Sequence, residues 1–370
     1  MTSRECILAA LRGEQPEWIP TFEWLVHRRI RKELCLSEDM FDFVEWAGWD
    51  AVVVYADDHP DRDGKSRYVD EWGLTVQHTE EEYPVVVNHR LARMKDLESF
   101  IPPDPMAEWH YRSLEKAVKR FGGEKAVVFR LRDAYSMPRY LLGMENLMMY
   151  MITDRELVQR IIDISLEYYT AMARVASDIG TDVFWASDDY CDNRGPVMGP
   201  QLWRTICLPG LKRLIEQVKK LGKPFIKHCD GNINPIIEDM VDAGIDCIDP
   251  IDVSAGVKLD EIKNRFGDRI AIKGGVPIRL LCEGTTTEVC DSVLRCINTA
   301  GPKGYILSSS SDITASVKSE NYLALLEAWR EHRNLASISK RSKPTRIIQQ
   351  NQSKVGTHKI QKISSKVAEI

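Results

Sequence analysis

The sequence predicts an α/β fold, a (β/α)8 TIM barrel with an inserted cap between its second and third strands. Three observations lead there. Short β-rich runs alternate with longer amphipathic ones, the pattern of βα units around a parallel sheet. Eight such runs can be counted, and eight strands close this barrel. No glycine-rich fingerprint follows the first strand, which argues against a doubly wound open sheet. Gly274-Gly275 follows a strand but is too short to count as one.

The elements follow in order. Ser3–Arg12 reads as a helix with Ile7, Leu8 and Leu11 on one face. Trp18–Glu23 is expected as the first strand and Ala51–Tyr55 as the second. The second is continuously apolar, as a strand buried on both faces should be. The alternation then breaks from Asp57 to about Gly122. Within that stretch Arg67–Gln77 and Tyr83–Leu91 read as paired strands, and Met106–Phe121 reads as a helix. Long insertions in compact domains are usually lids or binding loops, so this one is expected to cap a barrel mouth. Strands resume at Ala126–Arg130, Asp182–Ala186, Pro224–His228, Asp246–Asp249, Arg269–Lys273 and Gly304–Leu307. Helices are expected between them at Asp154–Asp178, Pro200–Leu221, Asn232–Ala243, Leu259–Arg265 and Thr285–Ala300, with Ser316–Arg333 closing the fold. Residues 1–335 thus form the barrel with its insertion at 57–122. Residues 336–370 are basic and polar and are expected to be a disordered tail.

Composition narrows the partners. The chain has 370 residues, 44% hydrophobic and 28% charged, with a net charge of −5. That balance gives no sign of a nucleic-acid partner. No run is apolar and long enough to span a membrane, and the polar start is unlike a signal peptide. The nine cysteines form no CxxC pair, which points to reduced thiols and a cytoplasmic protein.

In such a barrel the active site is built just past the C-terminal strand ends. The strand assignments therefore yield candidates. They are Glu23 and Trp24; Asp57, Asp58 and His59; Arg130, Arg132 and Asp133; Ser187, Asp188, Asp189 and Tyr190; His228, Cys229 and Asp230; Asp249 and Asp252; Lys273; and the run Ser308–Asp312. Solvated loops also collect Asp and Ser, so convergence on one rim says more than any single residue. A polar rim suits acid–base chemistry or a metal. His228-Cys229-Asp230-Gly231-Asn232 is the sharpest feature. His228 and Asp230 either share a metal or substrate target, or Asp230 or Asn232 caps the next helix. Asp188-Asp189 either binds a cation, with each acid shifting the other's pKa, or lies in a solvated turn. The serine run either donates to an anion or is a loop.

These residues resemble the uroporphyrinogen decarboxylase superfamily, from about Arg4 to Glu331. The resemblance is carried by Leu11-Arg12-Gly13-Glu14 with Ile19-Pro20, Asp70-Glu71-Trp72-Gly73, Asp188-Asp189 with Gly195-Pro196, and His228–Asn232. Gly244–Pro250 and Gly304–Ser309 with Glu320-Asn321-Tyr322 complete it. The superfamily implies two chemistries: cofactor-free decarboxylation of tetrapyrrole acetate arms, and zinc-assisted methyl transfer involving a corrinoid protein. The decarboxylase RQAGR loop is absent, although Arg28 and Arg29 stand in that region. Asp57 and Tyr140 stand for the decarboxylase aspartate and tyrosine, and its late histidine falls near Ser309. Of the methyltransferase zinc ligands, His228 is kept. Asp230 and Ser311 stand where the two cysteines would be.

The resemblance thus implies a corrinoid-linked methyltransferase moving a methyl group from a small methylated substrate to a cobalamin-bearing partner. His228 and Asp230 are its expected metal ligands, with zinc as the metal and no nucleotide cofactor. Asp188, Asp189, Asp57 and Tyr140 are its expected catalytic residues. Arg130, Arg132, Glu23, Asp249 and Ser309 are expected to bind substrate. The alternatives are a carboxy-lyase whose arginines hold a carboxylated substrate, and a binding protein that has lost the chemistry.

Overall fold

A computed structural model describes residues 1–81 and 83–334. The expected tail at 336–370 lies outside the described residues. Twelve strands are seen among them. In chain order they are β1 (Ala51–Val54), β2 (Arg67–Val69), β3 (Thr75–His78), β4 (Pro84–Asn88), β5 (Ala126–Leu131) and β6 (Val183–Ser187). They continue with β7 (Cys191–Asp192), β8 (Gly195–Pro196), β9 (Phe225–His228), β10 (Cys247–Ile251), β11 (Ala271–Gly274) and β12 (Tyr305–Ile306). Seven of these make a parallel sheet in the order β1-β5-β6-β9-β10-β11-β12. Helices link its strands, as parallel crossovers require. β1, β6, β9, β10 and β11 are buried along their whole length, so their sequences show no alternation.

Register places the rim. Ser187 of β6 pairs with His228 of β9, and His228 pairs with Asp249 of β10. These three side chains therefore stand abreast at one end of the sheet.

The expected first strand is corrected. Residues 18–23 form no ladder. Thr21 makes a single parallel bridge to Leu307. The segment nevertheless sits between β12 and β1, because Leu307 N–H donates to Pro20 and Asp50 N–H donates to Thr21, both at 2.9 Å. Pro20 has no N–H to offer a ladder. The N–H of Thr21 donates instead to the Asp50 carboxylate at 2.9 Å, which also takes Ser3 Oγ and Trp18 Nε1. A side chain thus replaces part of an eighth strand.

The helix expected at Asn232–Ala243 is also shorter, Ile237–Asp242. Pro235 disfavours helical geometry at Asn234, and the Asn232 side chain accepts from Asn234 N in a local turn. Neither Asn232 nor Asp230 caps the helix, which has no side-chain cap. The helix at Arg155–Ile179 is capped by Asp154 onto Leu157 N, as its sequence suggests.

The insertion between β1 and β5 carries the antiparallel sheet β2-β3-β4. Its Tyr83 ring stacks on Trp24 with centroids 6.4 Å apart, and His27 Nε2 meets the Glu80 carbonyl at 2.7 Å. At its base Tyr168 donates to Glu71 at 2.8 Å. No described helix is long and apolar enough to cross a membrane.

Candidate metal-binding active site

The site begins on β9. Lys227 and His228 are consecutive strand residues, so their side chains leave opposite faces. Each face carries its own buried polar network.

On one face Lys227 Nζ lies 3.0 Å from Asp133 Oδ2, with both side chains fully buried. It also donates to the Asp188 and His228 carbonyls at 2.9 and 2.7 Å. Asp188 Oδ2 accepts from the N–H groups of Asp133, Tyr135 and Ser136 at 3.2, 2.8 and 2.9 Å. It thereby holds the turn into the helix Ser136–Leu142. Burial, and then Asp188, push Asp133 up to about 7 despite Lys227.

On the other face His228 Nδ1 lies 2.8 Å from Asp249 Oδ2. Asp249 also accepts from Trp185 Nε1 at 2.9 Å and from Lys273 Nζ at 2.8 Å. Burial opposes its charge, but Lys273 and His228 hold Asp249 down at about 2. Trp185 meets the His228 ring edge-on at 4.7 Å. This leaves His228 Nε2 facing Asp189 Oδ1 at 3.4 Å and Asp230 Oδ1 at 3.8 Å. One donor atom from each of Asp189, His228 and Asp230 lies within 4.8 Å of the others. Burial works against a charged imidazole, yet Asp189 and Asp249 hold His228 well above the usual histidine range. The two acids diverge. Burial, reinforced by Asp189, pushes Asp230 up to about 8. His228 holds Asp189 below the usual carboxylate range against the effect of burial.

Asp230 Oδ1 is buried and has no hydrogen-bond partner. A buried acceptor without a partner calls for a ligand or an ion. A nitrogen and two carboxylates suit a divalent cation such as zinc. Asp249 behind His228 is the usual outer partner of a metal-binding histidine, fixing the ring and freeing Nε2. The residues present therefore fit a metal.

The other expected residues fall around this centre. Glu23 and Ser309 satisfy each other: Ser309 N and Oγ donate to the Glu23 carboxylate at 2.7 and 3.0 Å. Burial pushes Glu23 up to about 7 although Lys273 pulls it down. Arg130 Nε donates to Ser187 Oγ at 2.5 Å, and its guanidinium lies 4.7 Å from the Trp24 ring. Arg132 donates to the Ser187 carbonyl at 2.8 Å and lies 5.4 Å from the Tyr140 ring. Ser311 Oγ reaches Asp230 Oδ2 at 3.5 Å. Asp57 is held elsewhere, by Ser113 N and Oγ at 2.7 and 2.6 Å, at the start of the helix Arg112–Phe121. The sequence reading missed Trp185 and Arg139. Trp185 lies in a strand buried on both faces, so no alternation marks its direction. Arg139 lies on a helix rather than past a strand end.

The sequence profile of the family described as uroporphyrinogen decarboxylase (URO-D) matches residues 68–332, more than half of the chain. The chain belongs to the uroporphyrinogen decarboxylase family. Among its relatives in that family is a methylated-thiol–coenzyme M methyltransferase of Methanosarcina mazei, 21% identical over 59% of this chain. The match spans only 57% of that protein's length. The methylcobamide:CoM methyltransferase MtbA of Methanosarcina acetivorans is 20% identical over 68% of this chain and 72% of its own. A methyltransferase structure from Methanosarcina mazei superposes with a TM-score of 0.75 over 90% of this chain and 99% of that one, at 19% identity. That superposition establishes a shared fold. A chloroplastic uroporphyrinogen decarboxylase of Oryza sativa subsp. japonica is also similar, 25% identical over 35% of this chain and 31% of its own.

Proposed function

We propose that this URO-D family protein is a corrinoid-linked methyltransferase. It takes a methyl group from oxygen, nitrogen or sulfur of a small substrate and passes it to a cobalamin-bearing partner protein. The supporting observation is the Asp189, His228 and Asp230 donor set, with Asp230 Oδ1 buried and unpartnered. These three residues hold the metal, and Asp249 orients His228 from behind. When bound, the metal supplies a Lewis acid that draws electron density from the heteroatom bearing the methyl group. Oxygen-rich ligands make that centre harder than one built on cysteines. Asp189, rather than Asp188, is the acid of the pair that faces the chemistry, because Asp188 is taken up by backbone N–H groups. Arg130 and Arg132 bind substrate beside the metal. The insertion at 57–122 serves as the cap, supported by the stacking of Tyr83 on Trp24.

The test pairs metal analysis of the purified chain with methyl transfer from methylated substrates to reduced cobalamin. The expected result is stoichiometric divalent metal that Asp230→Ala removes, and transfer that a chelator abolishes. Absence of both metal and corrinoid dependence would overturn the reading. Activity that persists with a chelator and without a corrinoid would mark a carboxy-lyase.

A further inference from the structure

Beside the donor triad lies a group of cations with too few anions. Arg130 lies on β5 and Arg132 just past its end, and both side chains reach Ser187. Arg139 comes to them from the helix Ser136–Leu142. Arg132 and Arg139 flank Tyr140, while Arg130 lies against Trp24. The Arg132 and Arg139 guanidiniums lie 5.4 and 5.0 Å from the Tyr140 ring, and Arg139 Nη2 donates to the Tyr140 hydroxyl at 3.2 Å. Of the three, only Arg132 has a carboxylate within ion-pair reach among the described residues, Asp188 Oδ1 at 3.9 Å. Its other oxygen, Oδ2, serves three backbone N–H groups, and Oδ1 itself makes no hydrogen bond to Arg132. Arg139 Nε is buried and has no hydrogen-bond partner.

Tyr140 and Arg130 respond to this positive charge, while Tyr140 and Asp188 hold Arg132 up against burial. Burial alone would raise the Tyr140 phenol, yet Arg132, Arg139 and Arg130 hold it below the usual tyrosine range. Burial, and then Arg132, push Arg130 down to about 10. Clustered, desolvated guanidiniums repel one another unless an anion joins them.

We propose that the substrate carries a carboxylate, which docks on Arg130, Arg132 and Arg139 beside Tyr140. The planar guanidinium fork matches a carboxylate with paired N–H···O bonds. This proposal rests on the methyltransferase reading only for the reacting end of the substrate. The two ends fit one small molecule. Trp185 packs against the His228 ring and lies 6.0 Å from the Arg130 guanidinium. Ser187, which both Arg130 and Arg132 contact, pairs in register with His228. A short methylated acid thus anchors on the arginines and presents its methyl-bearing atom to the triad.

The experiment is a titration of the full chain in the presence of a chelator, read by tryptophan fluorescence, since Trp24 lies against Arg130. The probes are 3-methoxypropionate and its neutral isostere 3-methoxypropionamide. We expect saturable binding of the acid, about tenfold or more tighter than the amide, as a charge-assisted hydrogen bond implies. Arg139→Gln removes that preference, and Arg139→Lys, which keeps the charge but loses the fork, restores part of it. Equal affinity for acid and amide, no saturable binding of the acid, or an unchanged preference in Arg139→Gln would overturn the proposal. Acid binding without any methyl transfer overturns the methyltransferase reading alone. Methyl transfer that ignores the carboxylate overturns this one alone.

Discussion

Each face of β9 sets buried acids around a cationic side chain, and the two differ in how those acids are arranged. Behind Lys227 the carboxylates of Asp133 and Asp188 are met by an ammonium and by backbone N–H groups. Behind His228 the inner carboxylate, Asp249, is met in the same way by Lys273 and Trp185. The outer pair differs. Asp189 and Asp230 crowd one imidazole nitrogen, so that donor atoms of three side chains gather within 4.8 Å of one another. Asp188 and Asp189 are adjacent in sequence, yet they fall on different sides of this division. Unpaired atoms do not separate the faces, since Asp188 Oδ1 also lacks a hydrogen bond; the convergence of three possible ligand atoms marks the His228 face.

The division is broken most severely by removing Lys227. Lys227→Met strands Asp133 next to Asp188, and losing one partner of a buried pair costs about 3–5 kcal/mol. Asp189→Asn, on the other face and at a partly exposed side chain, should cost less stability than Lys227→Met and take metal binding with it. Urea denaturation of both variants, with metal binding by calorimetry, makes the check. If Asp189→Asn unfolds the protein and Lys227→Met does not, the roles of the two faces are reversed.

The next effect is a pH dependence on the His228 face. The folded pKa of Glu23 is about 7, raised from an ordinary 4.5 by burial. The fold therefore favours the protonated form. Its contribution to stability is whole below pH 4.5 and is lost as pH rises through 7. The loss is on the order of 3 kcal/mol. Asp133 and Asp230 titrate in the same direction, so the informative quantity is the difference between proteins. Melting temperatures of wild type and Glu23→Gln should diverge between those limits, with the variant less sensitive to pH. Parallel curves would mean that Glu23 is ionised at little cost.

Much of this was legible in the sequence, for a physical reason. Parallel strands in register bring their C-terminal residues abreast, so a list of strand ends is already a list of neighbours. Ser187, His228 and Asp249 are neighbours for that reason. The first strand was misread because Pro20 sits in an apolar run but cannot extend a ladder. The helix after His228 was drawn too long because the Asn232 turn and Pro235 delay its start. Asp57 follows a strand like the others, yet its oxygens go to Ser113. Which of two adjacent aspartates faces the metal position depends on which face of the sheet each side chain leaves. A fully buried strand carries no alternation to show that.

Asp249 tests whether the His228 face is organised in layers. It touches His228 and lies outside the triad. Asp249→Asn keeps the shape and a hydrogen bond but loses the charge that orients and polarises the imidazole. Outer partners of this kind are worth about 10–100-fold in metal affinity. Zinc titration against a competing chelator should show that loss while Asp189 and Asp230 remain in place. An unchanged affinity would mean that His228 is held by packing against Trp185 alone.

The smallest expected effect separates position in the sequence from position in a network. Asp57 stands past β1 as Asp189 stands past β6, but it belongs to neither face of β9. Its carboxylate accepts from Ser113 N and Oγ at the start of the helix Arg112–Phe121. That is capping work, and replacing such a residue by alanine costs about 1 kcal/mol. Asp57→Ala should therefore lower the melting temperature slightly and leave zinc affinity and the acid-over-amide preference intact. Loss of either binding property in a folded Asp57→Ala protein would show that the insertion transmits its packing to the rim. The contrast between structural and ligand-facing carboxylates would then extend beyond the two faces of one strand.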